Sequence, residues 1–189
     1  NYSKYIQIMW PAYPYKDLDL IFTPSHDNIK NKKNVINIET SPNIIDKELL
    51  SEAKVKWKTE FNLLKKPRIA LIIGGDTKIH KLTSYHIKEL FIEIKKIMND
   101  KGSLLITTSR RTSKEAYEEI KKEIGKLKIQ NTFWYQKNKA PNPYYGYLSY
   151  ADATIVTGDS VSICSEVCAT GKPLLIYAPN DITIKKHKL

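Results

Sequence analysis

Arg68-Ile69-Ala70-Leu71-Ile72-Ile73-Gly74-Gly75-Asp76 is the stretch that decides the fold. Five consecutive apolar residues end on two glycines and a carboxylate, with a helical pattern over about 83–98 next in line. A short, fully apolar run bounded by turn residues reads as a strand buried on both faces. The same unit recurs downstream. Leu104-Leu105-Ile106 leads into Thr107-Thr108-Ser109-Arg110-Arg111-Thr112 and a helix over about 113–126. Thr132-Phe133-Trp134-Tyr135 leads into Pro141-Asn142-Pro143-Tyr144-Tyr145-Gly146 and a short helix. Ala153-Thr154-Ile155-Val156 leads into Gly158-Asp159-Ser160-Val161-Ser162 and another helix, and Leu174-Leu175-Ile176-Tyr177 closes the series at Ala178-Pro179-Asn180. Continuous apolar strands alternating with helices indicate an α/β domain with a parallel sheet, and right-handed crossovers make it doubly wound and Rossmann-like.

The residues upstream read differently. Short strand-like pieces at Tyr5-Ile6-Gln7-Ile8-Met9, Leu18-Asp19-Leu20-Ile21-Phe22 and Asn34-Val35-Ile36-Asn37-Ile38 are separated by turn residues such as Pro24-Ser25-His26-Asp27-Asn28. Three short strands without covering helices do not make a stable two-faced sheet. Residues 1–45 therefore read as the end of a truncated N-terminal α/β domain. A helix over about 46–64 follows, with Leu49, Leu50, Ala53, Trp57, Phe61 and Leu64 at helical spacing, so 46–67 is a connecting helix. Residues 68–189 form the Rossmann-like domain, expected to be incomplete at its C-terminus.

Composition narrows the function classes. No apolar run approaches the roughly 20 residues of a membrane helix, so no integral membrane segment is expected. Asn1-Tyr2-Ser3-Lys4 lacks the layout of a signal peptide, which suggests a cytoplasmic piece of a longer chain. The formal net charge of +11 comes from lysines spread over predicted helix faces that also carry Glu89, Glu93, Glu118, Glu119 and Glu123. Such faces read as solvated exteriors, and without a nucleic-acid module the chain is not expected to bind nucleic acid. Cys164 and Cys168, four apart on one predicted helix, read as small core residues. His80 and His86 have no companions at metal-ligand spacing, so no metal is expected; no cofactor is expected either.

In an open parallel sheet, ligands bind outside the carboxyl ends of the strands. Four strand ends carry small or polar groups: Gly74-Gly75-Asp76, Ser109-Arg110-Arg111, Asn142-Pro143-Tyr144 and Asp159-Ser160-Val161-Ser162. Arg110 and Arg111 are two of only three arginines in the chain, and guanidinium forks match phosphate oxygens as lysine does not. The helix after Asp159 places Val161, Cys164 and Cys168 on one arc, toward the sheet, and Ser162 and Glu166 on the opposite arc. Asp159 or Ser160 is its expected N-cap and Gly171 its terminator. A helix start with free N–H groups holds a phosphate with about 0.3–2 kcal/mol from the dipole, and Glu166 stands where it can accept from ribose hydroxyls. The dinucleotide fingerprint and the Walker A loop are both missing, so NAD and ATP-hydrolysis readings lack their motifs. Tyr117…Lys121 and Tyr135…Lys139 match a dehydrogenase spacing by chance.

Pro24-Ser25-His26-Asp27, Gly74-Gly75, Thr108-Ser109-Arg110-Arg111-Thr112, Asn142-Pro143-Tyr144, Ala151-Asp152, Thr157-Gly158-Asp159-Ser160-Val161-Ser162, Ser165-Glu166 and Thr170-Gly171-Lys172-Pro173 occur in this order across nearly the whole chain. In this set the chain resembles the plant mitochondrial-fission "elongated mitochondria" family and its bacterial relatives. That family is similar to the GT-B glycosyltransferases, two-Rossmann-domain enzymes that generally work without a metal. The resemblance implies that 68–189 is a nucleotide-binding, donor-side domain, the C-terminal half of a GT-B-like protein, and that most of the acceptor domain lies outside these residues.

The resemblance further implies a nucleotide sugar of UDP or GDP type, its pyrophosphate and ribose held by Ser162, Ser165 and Glu166 with Arg110 near the phosphates; the strand-end reading adds Gly74, Gly75, Ser109, Arg111, Asn142, Tyr144, Asp159 and Ser160 to the candidate site. His26 and Asp27 are the weak catalytic candidates. A bacterial envelope glycan is the implied product class, and the inner face of the membrane an implied site of action. These 189 residues alone are not expected to catalyse. The alternative is a scaffold that kept the fold and lost the chemistry, with a peripheral membrane or protein partner, since the plant relatives are implicated in recruiting a dynamin-related fission machinery. An epimerase is disfavoured because the nicotinamide signature is missing.

Overall fold

The computed structural model describes residues 3–11, 14–30, 32–77, 81–135 and 140–179. Asn1, Tyr2, His80, Lys139 and Asn180, all named above, lie outside the described residues. β1 (Ile6–Ile8), β2 (Leu20–Pro24) and β3 (Val35–Ile38) form a small parallel sheet in that order. Residues 46–67, where the spacing predicts a single helix, hold two: α1 (Lys47–Lys56) and α2 (Lys58–Phe61). The break falls at Trp57, whose φ of −102° and ψ of 19° leave the helical region. Its indole packs over Gly146, where a Cβ would stand 2.5 Å from the ring.

The remaining elements alternate as expected: β4 (Arg68–Ile73), α3 (Ser84–Met98), β5 (Ser103–Thr108), α4 (Lys114–Ile124), β6 (Gln130–Trp134), α5 (Tyr144–Tyr150), β7 (Ala153–Thr157), α6 (Val161–Ala169) and β8 (Leu174–Tyr177). The five strands are all parallel, in the order β6-β5-β4-β7-β8. The chain winds outward from β4 through β5 to β6, then returns to lay β7 and β8 on the other side. The carboxyl ends of β4 and β7 therefore flank the topological switch point, the place where open α/β sheets bind ligands.

Two-residue alternation sorts the sheet's side chains between two apolar layers. Ile69, Leu71, Ile73, Leu104 and Ile106 pack with Ile87, Leu90, Phe91, Ile94 and Ile120 of α3 and α4. Ala70, Leu105 and Trp134 meet Phe61, Tyr147 and Tyr150, while Ile72 and Val156 meet Leu148, Cys164 and Val167. Each fully buried Leu, Ile or Phe contributes about 1.5–3 kcal/mol. The doubly wound α/β class read from the sequence is the class observed.

Two side-chain expectations fail. Glu119 and Glu123, read as part of a solvated face, are 5% and 4% exposed. They are drawn inward where α3 and α4 meet, and Lys95 and Lys126 reach Glu123 at 3.2 and 2.5 Å. Cys168 is exposed while Cys164 is buried. On α6 the buried residues are Cys164, Ser165 and Val167, so the face against the protein is rotated from the predicted one. The cause is a second neighbour: the stretch leading into α1 also lies on this helix, and Ser41 N–H donates to the Ser165 hydroxyl at 3.0 Å.

Candidate functional site

Three strand ends are tied together at the switch point, and Asp159 is the knot. The Gly75 N–H donates to Asp159 Oδ2 at 3.1 Å, and Arg111 Nη2 reaches the same oxygen at 2.7 Å. Thr157 Oγ1 accepts from the Gly74 N–H at 2.7 Å and donates to Asp159 Oδ1 at 2.6 Å. Thr112 Oγ1 donates to the Gly74 carbonyl, and Asp76 N–H donates to the Arg111 carbonyl at 3.1 Å. Arg111 Nη1 also reaches the Asp76 carbonyl at 3.2 Å. The loops after β4, β5 and β7 are therefore one hydrogen-bonded unit.

The unit explains the glycines. A Cβ on Gly74 would lie 2.0 Å from the Asp159 carboxylate, and one on Gly75 would lie 2.2 Å from the Arg111 backbone. Both glycines serve close packing of the protein on itself. The Asp159 side chain is only 5% exposed, so its hydrogen bonds to charged or oriented donors stabilise by about 1.5–3 kcal/mol each at most. The Arg111 side chain is 43% exposed, and water screens its share.

Next to this clasp stands the start of α6. Asp46, Thr83 and Ser113 each cap their own helix through a side-chain oxygen. Ser160, at the N-cap of α6, makes no such bond, and Asp159 turns its carboxylate to the clasp instead of the helix. The expected side-chain cap is therefore absent among the described residues, and the first-turn N–H groups of α6 remain available to an outside acceptor. Ser162 is exposed in that first turn. Arg110 is exposed beside Arg111 and has no bonded partner among the described residues.

One turn into α6, Glu166 accepts a hydrogen bond from the Tyr144 hydroxyl. Burial first, and this bond second, push the Tyr144 phenol well above its ordinary value, so it remains a neutral donor at every physiological pH. Asn142 Oδ1 accepts from the Tyr144 N–H at 3.0 Å and so sets the start of α5. Cys164, beneath, has its thiol pushed up to about 11, chiefly by burial, and is not a thiolate nucleophile at neutral pH.

Other predicted residues are spent internally. The Ser109 hydroxyl accepts from the Arg111 N–H at 3.1 Å and shapes its own turn. The Ser165 hydroxyl donates to the Val161 carbonyl at 3.0 Å while holding Ser41. His26 and Asp27 lie in a one-turn 3₁₀ segment after β2, with His26 Nε2 3.7 Å from Asp27 Oδ1. No group of three or more His, Cys, Asp or Glu with metal-binding placement occurs among the described residues. No helix among them is long and apolar enough to cross a membrane.

Sequence reasoning missed Thr157 and Thr112 as members of the unit. The available signal was a hydroxyl residue standing at the last position of an apolar strand and another directly after the arginine pair.

The family model described as "Mitochondrial fission ELM1" matches residues 1–189, and the chain belongs to that family. Among curated proteins it is similar to the "Mitochondrial fission protein ELM1" of Arabidopsis thaliana, 29% identical over 90% of this chain and 44% of that protein. It is also similar to the "Uncharacterized protein RP120" of Rickettsia prowazekii (strain Madrid E), 30% identical over 98% of this chain and 61% of that protein. The chain thus spans about half the length of these relatives. No solved structure matches it.

Proposed function

We propose that this member of the mitochondrial fission ELM1 family is a GT-B glycosyltransferase-like protein that binds a nucleotide sugar of UDP or GDP type at the β4/β7 switch point. The observation that carries the reading is the start of α6, without a side-chain cap among the described residues and next to the Asp159–Arg111 clasp, with Glu166 one turn in and Arg110 exposed in the same arginine loop. Helix N–H groups and a guanidinium suit a diphosphate, and they would stabilise it as a leaving group without a metal. Glu166, oriented by Tyr144, suits a ribose diol. Gly74, Gly75, Arg111 and Asp159 act as the rigid floor beneath the ligand, and Ser160 and Ser162 line its approach.

On this proposal residues 68–189 are the donor-side domain, 46–67 the connector and 1–45 the end of the partner domain. His26 or Asp27 would face the acceptor in the complete protein, which would act in the cytoplasm at the inner face of the membrane in envelope glycan synthesis.

A second reading has its own observation. The Asp159 carboxylate already takes the backbone, hydroxyl and guanidinium donors that a phosphate would use in the crevice. A protein with a self-filled cradle suits a scaffold, and the names of the fission relatives fit that class.

Calorimetric titration of UDP, GDP, UDP-N-acetylglucosamine and ADP separates the two. The first reading expects saturable binding of a uridine or guanosine ligand, weakened at least tenfold by Arg110→Ala and by Glu166→Ala. Absence of binding in this chain and in its full-length relatives favours the scaffold.

A further inference from the structure

At the opposite, amino-terminal edge of the large sheet lies a pocket of about 330 Å³ that the nucleotide reading does not use. Four cations line it, from three separate parts of the chain: Lys54 of α1, Lys66 and Arg68 at the entry to β4, and Lys172 of the turn before β8. Asp152 is the only carboxylate among its lining residues. That carboxylate is already engaged, accepting from the Arg68 N–H at 2.7 Å and standing 3.9 Å from Lys66 Nζ.

Two of the cations are held rigidly by backbone carbonyls. Lys172 Nζ donates to the Leu148 and Ser149 carbonyls at 2.7 and 2.8 Å, at the end of α5. Arg68 donates from Nε to the Leu64 carbonyl at 3.0 Å and from Nη2 to the Asn62 carbonyl at 2.8 Å. Each keeps a donor in reserve, one ammonium N–H on Lys172 and the Nη1 group on Arg68. Lys54 and Arg68 both stand over the Tyr150 ring, 5.9 and 5.5 Å from its centre. Burial chiefly, and then the nearness of Lys54, depress the Lys172 ammonium below its ordinary value, while Asp152 acts the other way.

We infer that this pocket is a second anion site, one that takes a phosphate monoester, whether free in solution or carried on a lipid headgroup. Cations that are fixed before binding lose little freedom when the ligand arrives. A guanidinium beside ammonium groups matches the charge and fork geometry of a phosphate. The four cations outnumber the one carboxylate, Asp152, which accepts from the Arg68 N–H and stands near Lys66. Because the pocket lies at the other end of the strands from Arg110 and Glu166, it stands or falls independently of the nucleotide proposal.

The test titrates the 189-residue chain with inorganic phosphate by calorimetry. In parallel, the chain is floated with phosphatidylcholine vesicles with and without phosphatidic acid. Lys54→Gln and Lys66→Gln are the deciding variants, because neither side chain makes a hydrogen bond among the described residues. Lys172→Gln is the third, its folding checked by circular dichroism. Phosphate binding weakened at least tenfold in these variants and unchanged in Arg110→Ala supports the site with a soluble ligand. Flotation that needs phosphatidic acid and is lost in the same variants supports the site with a lipid ligand. Neither kind of binding, binding that survives the pocket variants, or binding that is lost only in Arg110→Ala overturns the inference.

Discussion

The five-stranded sheet and the three-stranded sheet are both parallel and both built from short strands of Ile, Leu and Val, yet their side chains meet different surroundings. Leu105, in the middle of the large sheet, is 0% exposed, whereas Ile6 and Ile8 of β1 are 62% and 55% exposed. In the large sheet every crossover carries a helix: α3 after β4, α4 after β5, α5 after β6 and α6 after β7. In the small sheet the described links carry only the one-turn 3₁₀ segments Tyr15–Asp17 and Ser25–Asp27. A parallel sheet is apolar on both faces, so its stability comes from what covers it. Residues 68–177 therefore hold most of the stability among the described residues, and the same sheet bears the strand ends that form the candidate site.

Substitutions graded by this difference test it. Leu105→Ala is expected to cost about 2–5 kcal/mol, the range for deleting a buried leucine. Urea denaturation measures it, and a loss under about 1 kcal/mol would mean the large sheet is not the stability core. Gly75→Ala comes next, at about 1–3 kcal/mol, because its Cβ would lie 2.2 Å from the Arg111 backbone. An unchanged melting temperature would show that the three loops are not clasped.

A smaller effect is expected from the ion pairs between α3 and α4. Burial raises the Glu123 carboxyl, but hydrogen bonds from Lys126 and Lys95 outweigh it and hold the group below its ordinary 4.5. A carboxylate depressed in the folded state lends stability above its unfolded value and loses it as pH falls through the folded one. Melting temperatures taken downward from pH 6 should therefore drop faster below about pH 4.5 in the wild type than in Glu123→Gln. The pairs are partly solvated, so the difference is about 0.2–1 kcal/mol; parallel curves would remove Glu123 from the account. The smallest effect belongs to Ile6→Ala, within about 0.5 kcal/mol. A loss comparable to that of Leu105→Ala would mean that β1 is covered by something in solution.

The site was only partly legible. The strand-end loops at Gly74, Arg110, Asn142 and Asp159 were readable because a parallel α/β sheet places its loops by rule. The division of labour inside them was not. Arg110 and Arg111 are adjacent and chemically identical, yet one grips Asp159 at 2.7 Å and the other faces solvent. Ser162 and Ser165 share a helix, and only the second is buried, against Ser41.

From the sequence alone come the strand-and-helix alternation from β4 to β8, the fold class, the family set of motifs and the helix starts near Asp46, Thr83 and Ser113. All of these rest on interactions between near neighbours, whose spacing is written along the chain. Tertiary structure alone decides that Asp159 closes the crevice instead of capping α6, that Glu119 and Glu123 turn inward, and that four cations gather around Asp152. Each of those depends on distances between residues far apart in the chain, set by strand register and by which helix lies on which face, and no local pattern encodes them.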